Sequence, residues 1–145
     1  AEAIARAIEA SYEQTADCPG LVGLRRTEDI IAGHMATGRF DPRLWWCFHK
    51  QGEPVGVMLM SRMVGQIGFE LVYIGIAPAF RGRGLARAML GFGLGHVSQL
   101  ARAEGHDHAQ LHLAVDEANN PARRLYEAFG FHPGARKHAM IRPLA

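Results

Sequence analysis

The chain has 145 residues, 48% hydrophobic and 21% charged, which is the size and balance of one soluble globular domain spanning residues 1–145 and excludes disordered, collagen-like and disulfide-scaffold classes. Lys plus Arg at 16 against Asp plus Glu at 14 gives a net charge of +2, too weak a bias to argue for nucleic acid or an anionic membrane. No run approaches the ~18–20 apolar residues of a membrane span and no signal sequence opens the chain, while Cys18 and Cys47 lack metal-type or redox-type neighbours, so both read as reduced thiols in a cytoplasmic protein.

Residues 1–14 place Ile4, Ile8 and Tyr12 at spacing four among charged residues, which predicts an amphipathic helix. Because the chain opens directly into it, the natural protein is expected to begin upstream. Residues 15–20 break the pattern. Thr27 is the expected N-cap of a second helix carrying Ile30, Ile31, His34 and Met35, with Gly38 as its stop. Aromatics make 44–49 a strand, the turn Gln51-Gly52-Glu53-Pro54 reverses the chain, and 55–61 returns as the second arm of a hairpin.

A third strand is expected from Gly68 to Ala77, then a helix from Leu85 to about Glu104, a strand over 109–115, a helix over 119–128 closed by Gly130, and a last strand over 138–144. Gly91, Gly93 and Gly95 lie inside the long helix, where close packing of helix on sheet is their simplest use. An antiparallel start followed by strand-helix-strand units implies an α/β or α+β fold, a mixed sheet with helices on both faces.

The chemistry concentrates between Glu70 and Ala86. An apolar strand ends at Pro78, and Arg81-Gly82-Arg83-Gly84-Leu85-Ala86 leads into a helix. Gly82 and Gly84 permit positive φ and let an anion reach the main chain at a helix N-terminus, while Arg81 and Arg83 add charge and donors. The pocket suits a pyrophosphate. Neither a P-loop nor a dinucleotide fingerprint is present, and the residues alone do not choose among nucleotides.

Arg81, Gly84 and Ala86 match the fixed positions of Arg/Gln-x-x-Gly-x-Gly/Ala, and Asn119, Ala122, Leu125, Tyr126 and the closing Gly130-Phe131 follow as Asn-x-x-Ala-x-x-Leu-Tyr. The pair, in this order, resembles motifs A and B of the GNAT superfamily of N-acetyltransferases over roughly residues 1–131. The resemblance implies a GNAT-like acyl-CoA N-acyltransferase fold with a central, mostly antiparallel sheet, the family's first strand being missing here or upstream. It also implies acetyl-CoA as cosubstrate, with no metal, and an amine acceptor as the other partner. Neither nucleic acid nor membrane is called for, and a homodimer has room.

By the same resemblance, the strand backbone at Ile74, Gly75 and Ile76 would pair with the pantetheine arm, and the amides of Gly82, Arg83, Gly84, Leu85 and Ala86 would hold the pyrophosphate. Asn119 would bond the pantetheine or cap its helix. Left to periodicity alone Tyr126 is a core residue; in the family that tyrosine protonates the departing thiolate, and a phenol of pKa about 10 suits a thiol of about 8.5. Glu70, a partly desolvated carboxylate at the start of an apolar strand, is the candidate base, with an ordinary ion pair or ordered water as the alternatives. The histidines, among them His106, His108 and His112, complete no ligand set. The expected activity is acetyl transfer from acetyl-CoA to a primary amine in a ternary complex; a non-catalytic acyl-CoA-binding module, part of a larger or tandem protein, is the rival.

Overall fold

The computed structural model of the protein describes residues 2–13 and 26–137, so the break at 15–20 with Cys18 and the last strand at 138–144 lie outside the described residues. Four strands pair in the order β1-β2-β3-β4: β1 (Trp45–Lys50), β2 (Glu53–Arg62), β3 (Gly68–Ile76) and β4 (Gln110–Leu113). The first three form an antiparallel meander. α3 (Leu85–Ala103) then crosses over and returns β4 parallel to β3.

Strand alternation builds a core on each face of the sheet. Met58 and Met60 of β2 point towards α3 and α4 (Asn120–Ala128), joining Phe69, Leu71, Met89, Leu90 and Val97. Val57 and Leu59 point the other way, to Ala7 and Ile8 of α1 (Glu2–Tyr12), with Ile30 and Ile31 of α2 (Thr27–Met35) packed beside them. Leu90, Met58 and Ile8 are fully buried. Each such side chain contributes on the order of 1.5–3 kcal/mol.

Two local expectations change. Thr27 is the first residue inside α2 and does not cap it; its Oγ1 instead donates to Glu9 Oε1 at 2.6 Å, tying α2 to α1. The hairpin turn is only Gln51-Gly52, both with positive φ (53° and 86°), and Glu53 and Pro54 already belong to β2. Of the three helical glycines, Gly93 alone is a close-packing residue, since a Cβ there would come within 2.6 Å of the Met58 methyl and 2.8 Å of the Met60 methyl. Gly95 faces open space.

A charged clamp closes one end of the sheet. Asp41 caps the turn Pro42–Leu44, receiving the Arg43 amide at 3.1 Å and the Arg43 guanidinium at 2.8 Å. Arg62, at the end of β2, donates to Asp41 Oδ2 at 3.1 Å and holds Glu104 through two bonds of 2.9 and 2.7 Å, so the connector, the sheet and the C-terminus of α3 meet at one guanidinium. The Arg43 guanidinium, its backbone amide and Arg62 together hold the buried Asp41 carboxyl well below the usual carboxylate range, against the opposing effect of burial. A carboxylate whose folded pKa is depressed stabilises the fold above its unfolded value of about 3.9, and that stability is lost as pH falls towards the folded value. Asp41→Asn should therefore cost roughly 3 kcal/mol at pH 7. Urea unfolding of both proteins should show the gap holding at neutral pH and narrowing below about pH 4; a gap that does not change with pH would mean the carboxylate's charge is not what the clamp uses.

Candidate functional site

The parallel ladder between β3 and β4 is short. It joins Gly68 to Gln110, Phe69 to Leu111, Glu70 to His112 and Leu71 to Leu113, where β4 ends while β3 runs on for five residues. At the same place β3 carries a bulge: Leu59 pairs with Tyr73 and Met60 with Leu71, leaving Val72 as an extra residue. The bulge reverses the alternation of β3. Leu71 and Ile74 pack with the α3 core, whereas Val72 and Tyr73 pack with the α1 core. From Val72 to Ile76 the edge of β3 away from β2 has no strand partner among the described residues.

The Ala77 amide donates to Val55 O at 3.1 Å, so Gly75 and Ala77 turn their peptide groups to β2 while those of Ile74 and Ile76 face the open edge. Gly75 has a second reason to be glycine. A Cβ there would lie 2.5 Å from Ser11 Oγ and 2.6 Å from the Tyr73 hydroxyl, inside the 2.8 Å hydrogen bond that joins those two groups. Tyr73 is also stacked on Tyr12 of α1, with ring centroids 5.3 Å apart.

Beyond β3 a 3-10 turn, Pro78–Phe80, leads into the glycine turn. Gly82 and Gly84 have φ of 71° and 76°, and nothing lies within 4 Å of where their Cβ atoms would be, so glycine is required for the backbone conformation and leaves the main chain approachable. Gly84 caps α3 without a side chain. The first intrahelical bond is Ala88 N–H to Gly84 O, so the amides of Leu85, Ala86 and Arg87 lie ahead of the ladder at the positive end of a 19-residue helix. No acidic side chain sits in that first turn.

The two arginines of the turn differ. The Arg81 guanidinium was expected to face an anion, yet its Nε donates to Ile76 O at 2.9 Å and one terminal nitrogen donates to Ser11 O and Glu13 O at 2.9 and 2.6 Å. Arg81 is thus a tie between the end of β3 and the C-terminus of α1, where a cation suits the helix dipole. Arg83 is exposed, its guanidinium over the Phe80 ring at 5.6 Å.

On the far side of the gap, Asn119 caps α4, its Oδ1 accepting from the Ala122 amide at 3.3 Å. Tyr126 is 8% exposed, belongs to the α3/α4 core together with Ile74, Ile76, Leu113 and Val115, and stands edge-on to Phe131 at 5.7 Å. Glu70 is half-buried on the opposite face of the sheet from Phe69 and Leu71, between Ser61 of β2 and His112 of β4. The two catalytic candidates therefore sit on opposite sides of the sheet. His112 and its contact with Gln110 drew no functional expectation from the sequence; only the β3/β4 register brings them beside Glu70. Cys47 is a free thiol that burial pushes up, 3.6 Å from His49 Nε2. Among the described residues no three His, Cys, Asp or Glu side chains group as metal ligands, and no helix is long and apolar enough to cross a membrane.

The family model described as Acetyltransferase (GNAT) family matches residues 7–131. Mycothiol acetyltransferase from Beutenbergia cavernae is 36% identical over 99 residues, 66% of this chain and 31% of that protein. Mycothiol acetyltransferase from Thermomonospora curvata is 36% identical over 104 residues, 72% of this chain and 32% of that protein. The chain spans about a third of the length of these curated relatives. The crystal structure of the ribosomal-protein-S18-alanine N-acetyltransferase from Escherichia coli shares the fold, with a TM-score of 0.66 at 17% identity over 90% of this chain and 73% of that one.

The packing at Gly75 makes a direct prediction. Gly75→Ala should push α1 and Tyr73 off the strand and lower stability by about 1–3 kcal/mol, whereas Gly82→Ala, in open space, should cost only the roughly 1–2 kcal/mol of a left-handed non-glycine residue. Near-ultraviolet circular dichroism separates the two, because only the first should weaken the tyrosine signal.

Proposed function

The chain belongs to the GNAT acetyltransferase family, and from that premise we propose that it transfers an acetyl group from acetyl-CoA to a primary amine by direct attack in a ternary complex. The observation that carries the reading is the opening between β3 and β4, with the peptide groups of Ile74 and Ile76, which no described strand pairs, on its wall and the Gly82–Gly84 turn at its end. An extended arm can add to such an edge as a strand does, and a pyrophosphate can lie on amides at a helix N-terminus. The donor half of the site fits acetyl-CoA on both counts.

Bound there, acetyl-CoA supplies an acyl group already activated as a thioester. The amides of Gly82, Arg83, Gly84, Leu85 and Ala86 hold the diphosphate, helped by the exposed Arg83 side chain; Arg81 contributes by fixing the turn. The Ile74 and Ile76 peptide groups orient the arm, with the Gly75 position between them keeping α1 against the strand. An amide at this edge polarises the carbonyl, and fixed alignment of amine and carbonyl supplies much of the rate. Asn119 keeps α4 in place, its side-chain amide hydrogens remaining for the arm. Tyr126 donates its phenolic proton to the departing sulfur from the α4 side, and Glu70 takes a proton from the amine on the α1 side.

The relatives named mycothiol acetyltransferases direct the search for the acceptor first to mycothiol chemistry. The test is thiol release from acetyl-CoA in the presence of an amine. Tyr126→Phe should bind acetyl-CoA normally by calorimetry while kcat falls about 100-fold; undiminished turnover would remove the proposed acid. A protein that binds acetyl-CoA but releases no thiol with any amine would instead be the non-catalytic module.

A further inference from the structure

The face of the sheet that carries Val57, Leu59, Val72 and Tyr73 is apolar under α1 and α2, but it becomes polar where β3 and β4 meet. Ser61, Glu70 and His112 occupy adjoining positions on three neighbouring strands, and Gln110 follows two residues from His112 on the same face. Leu111 and Leu113 point to the α3 core, which fixes Gln110 and His112 on the Glu70 side. The row lies one residue short of Leu71 and Leu113, the last pair before the strands part. Glu70 and His112 therefore stand beside the start of the opening on this face.

The row runs from a buried end at Ser61, through the half-buried Glu70, to an exposed end at His112. Ser61 Oγ is buried, with the residue 1% exposed, and has no hydrogen-bond partner among the described residues. That hydroxyl faces the backbone at Gly38, where a Cβ would come within 2.8 Å of it, so Ser61 closes the inner end of the row. His112 Nε2 lies 3.1 Å from Gln110 Oε1. An amide oxygen only accepts, so in the neutral ring that makes this contact Nε2 carries the proton and Nδ1 the lone pair. The His112 side chain is exposed, giving that nitrogen a route to water.

Proton counting shows what such a group would do. A protonated primary amine carries three N–H bonds and the amide product one, so two protons must leave the acceptor nitrogen. One is balanced by the proton that Tyr126 gives the departing sulfur; the other goes to solvent. Glu70 is a single acceptor. We propose that His112 is a second proton acceptor in the transfer, working beside Glu70 at the threshold of the opening, an assignment that rests on the acetyltransferase reading above. His112 Nδ1 takes one proton from the ammonium and passes it to water. The neutral nitrogen then attacks the thioester carbon, the C–N bond forms and the C–S bond breaks. Glu70 takes the second proton as the thiolate receives one from Tyr126, whose phenol is restored by that proton through solvent exchange.

The test compares wild type with His112→Ala, using acetyl-CoA with spermidine, glucosamine and an alanyl peptide as acceptor probes. Because His112 is exposed, the variant should keep its melting temperature and bind acetyl-CoA within twofold of wild type. With whichever probe the wild type acetylates best, kcat should fall about 100-fold with little change in KM, and added imidazole should restore part of it. A residue that only shapes the surface would show no imidazole response. Unchanged kcat, or a loss that imidazole does not touch, overturns the assignment and leaves the enzyme reading intact. A wild type that releases no thiol with any probe overturns the enzyme reading itself, and this inference with it.

Discussion

Parallel pairing between β3 and β4 lasts four residues, and the rest of the site depends on its stopping there. Backbone groups in a sheet are almost always paired, so an edge that opens in mid-strand needs a cause. The cause is the bulge at Val72. Inserting one residue opposite the Leu59–Met60 step increases the local twist of β3, and β4 does not follow it past Leu113. The Ile74 and Ile76 peptide groups are left facing the opening, and the same bulge turns Tyr73 towards α1.

An open edge would be a liability if it could move, and two contacts at its far end restrain it. The Arg81 guanidinium gathers the carbonyls of Ile76, Ser11 and Glu13, and the Ser11–Tyr73 hydrogen bond sits in the space that Gly75 leaves by having no side chain. Hydrogen bonds from a charged donor are worth about 1.5–3 kcal/mol each, more than neutral ones. The strand end, the glycine turn and α1 therefore behave as one piece. At the opposite end Arg62 does similar work with Asp41 and Glu104, so the opening lies between two charged ties.

The sequence was most legible where backbone conformation is the chemistry. Positive φ at Gly82 and Gly84, the strand before them and the helix after them follow from residue type and order, and the capping role of Asn119 follows from the Asn-x-Pro start of α4. Side-chain direction was less legible. Arg81 in a glycine turn suggests an anion ligand, but whether its guanidinium turns outward or back to Ile76 depends on where α1 ends, which no local pattern encodes. The clamp at Asp41, Arg62 and Glu104 joins residues 21 and 42 positions apart, and only its first member, an Asp before Pro42, had a local signature. The bulge was hidden for a related reason: an apolar strand reads the same whether or not one residue is extra.

The same distinction divides the site into two halves. The open strand edge and the turn after it are made of peptide groups and glycines, so residue type and order announce them. The polar row on the α1 side is made of side chains brought side by side by strand register, Ser61 from β2, Glu70 from β3 and His112 from β4, at sequence separations that no local pattern links. A one-residue slip of β4 against β3 would send His112 to the α3 core and bring a leucine beside Glu70. Register, set by the packing of Leu111 and Leu113 against the α3 side, is therefore what places an imidazole next to the carboxylate. Which polar side chains stand beside the opening on this face is in this sense a property of the sheet's alignment.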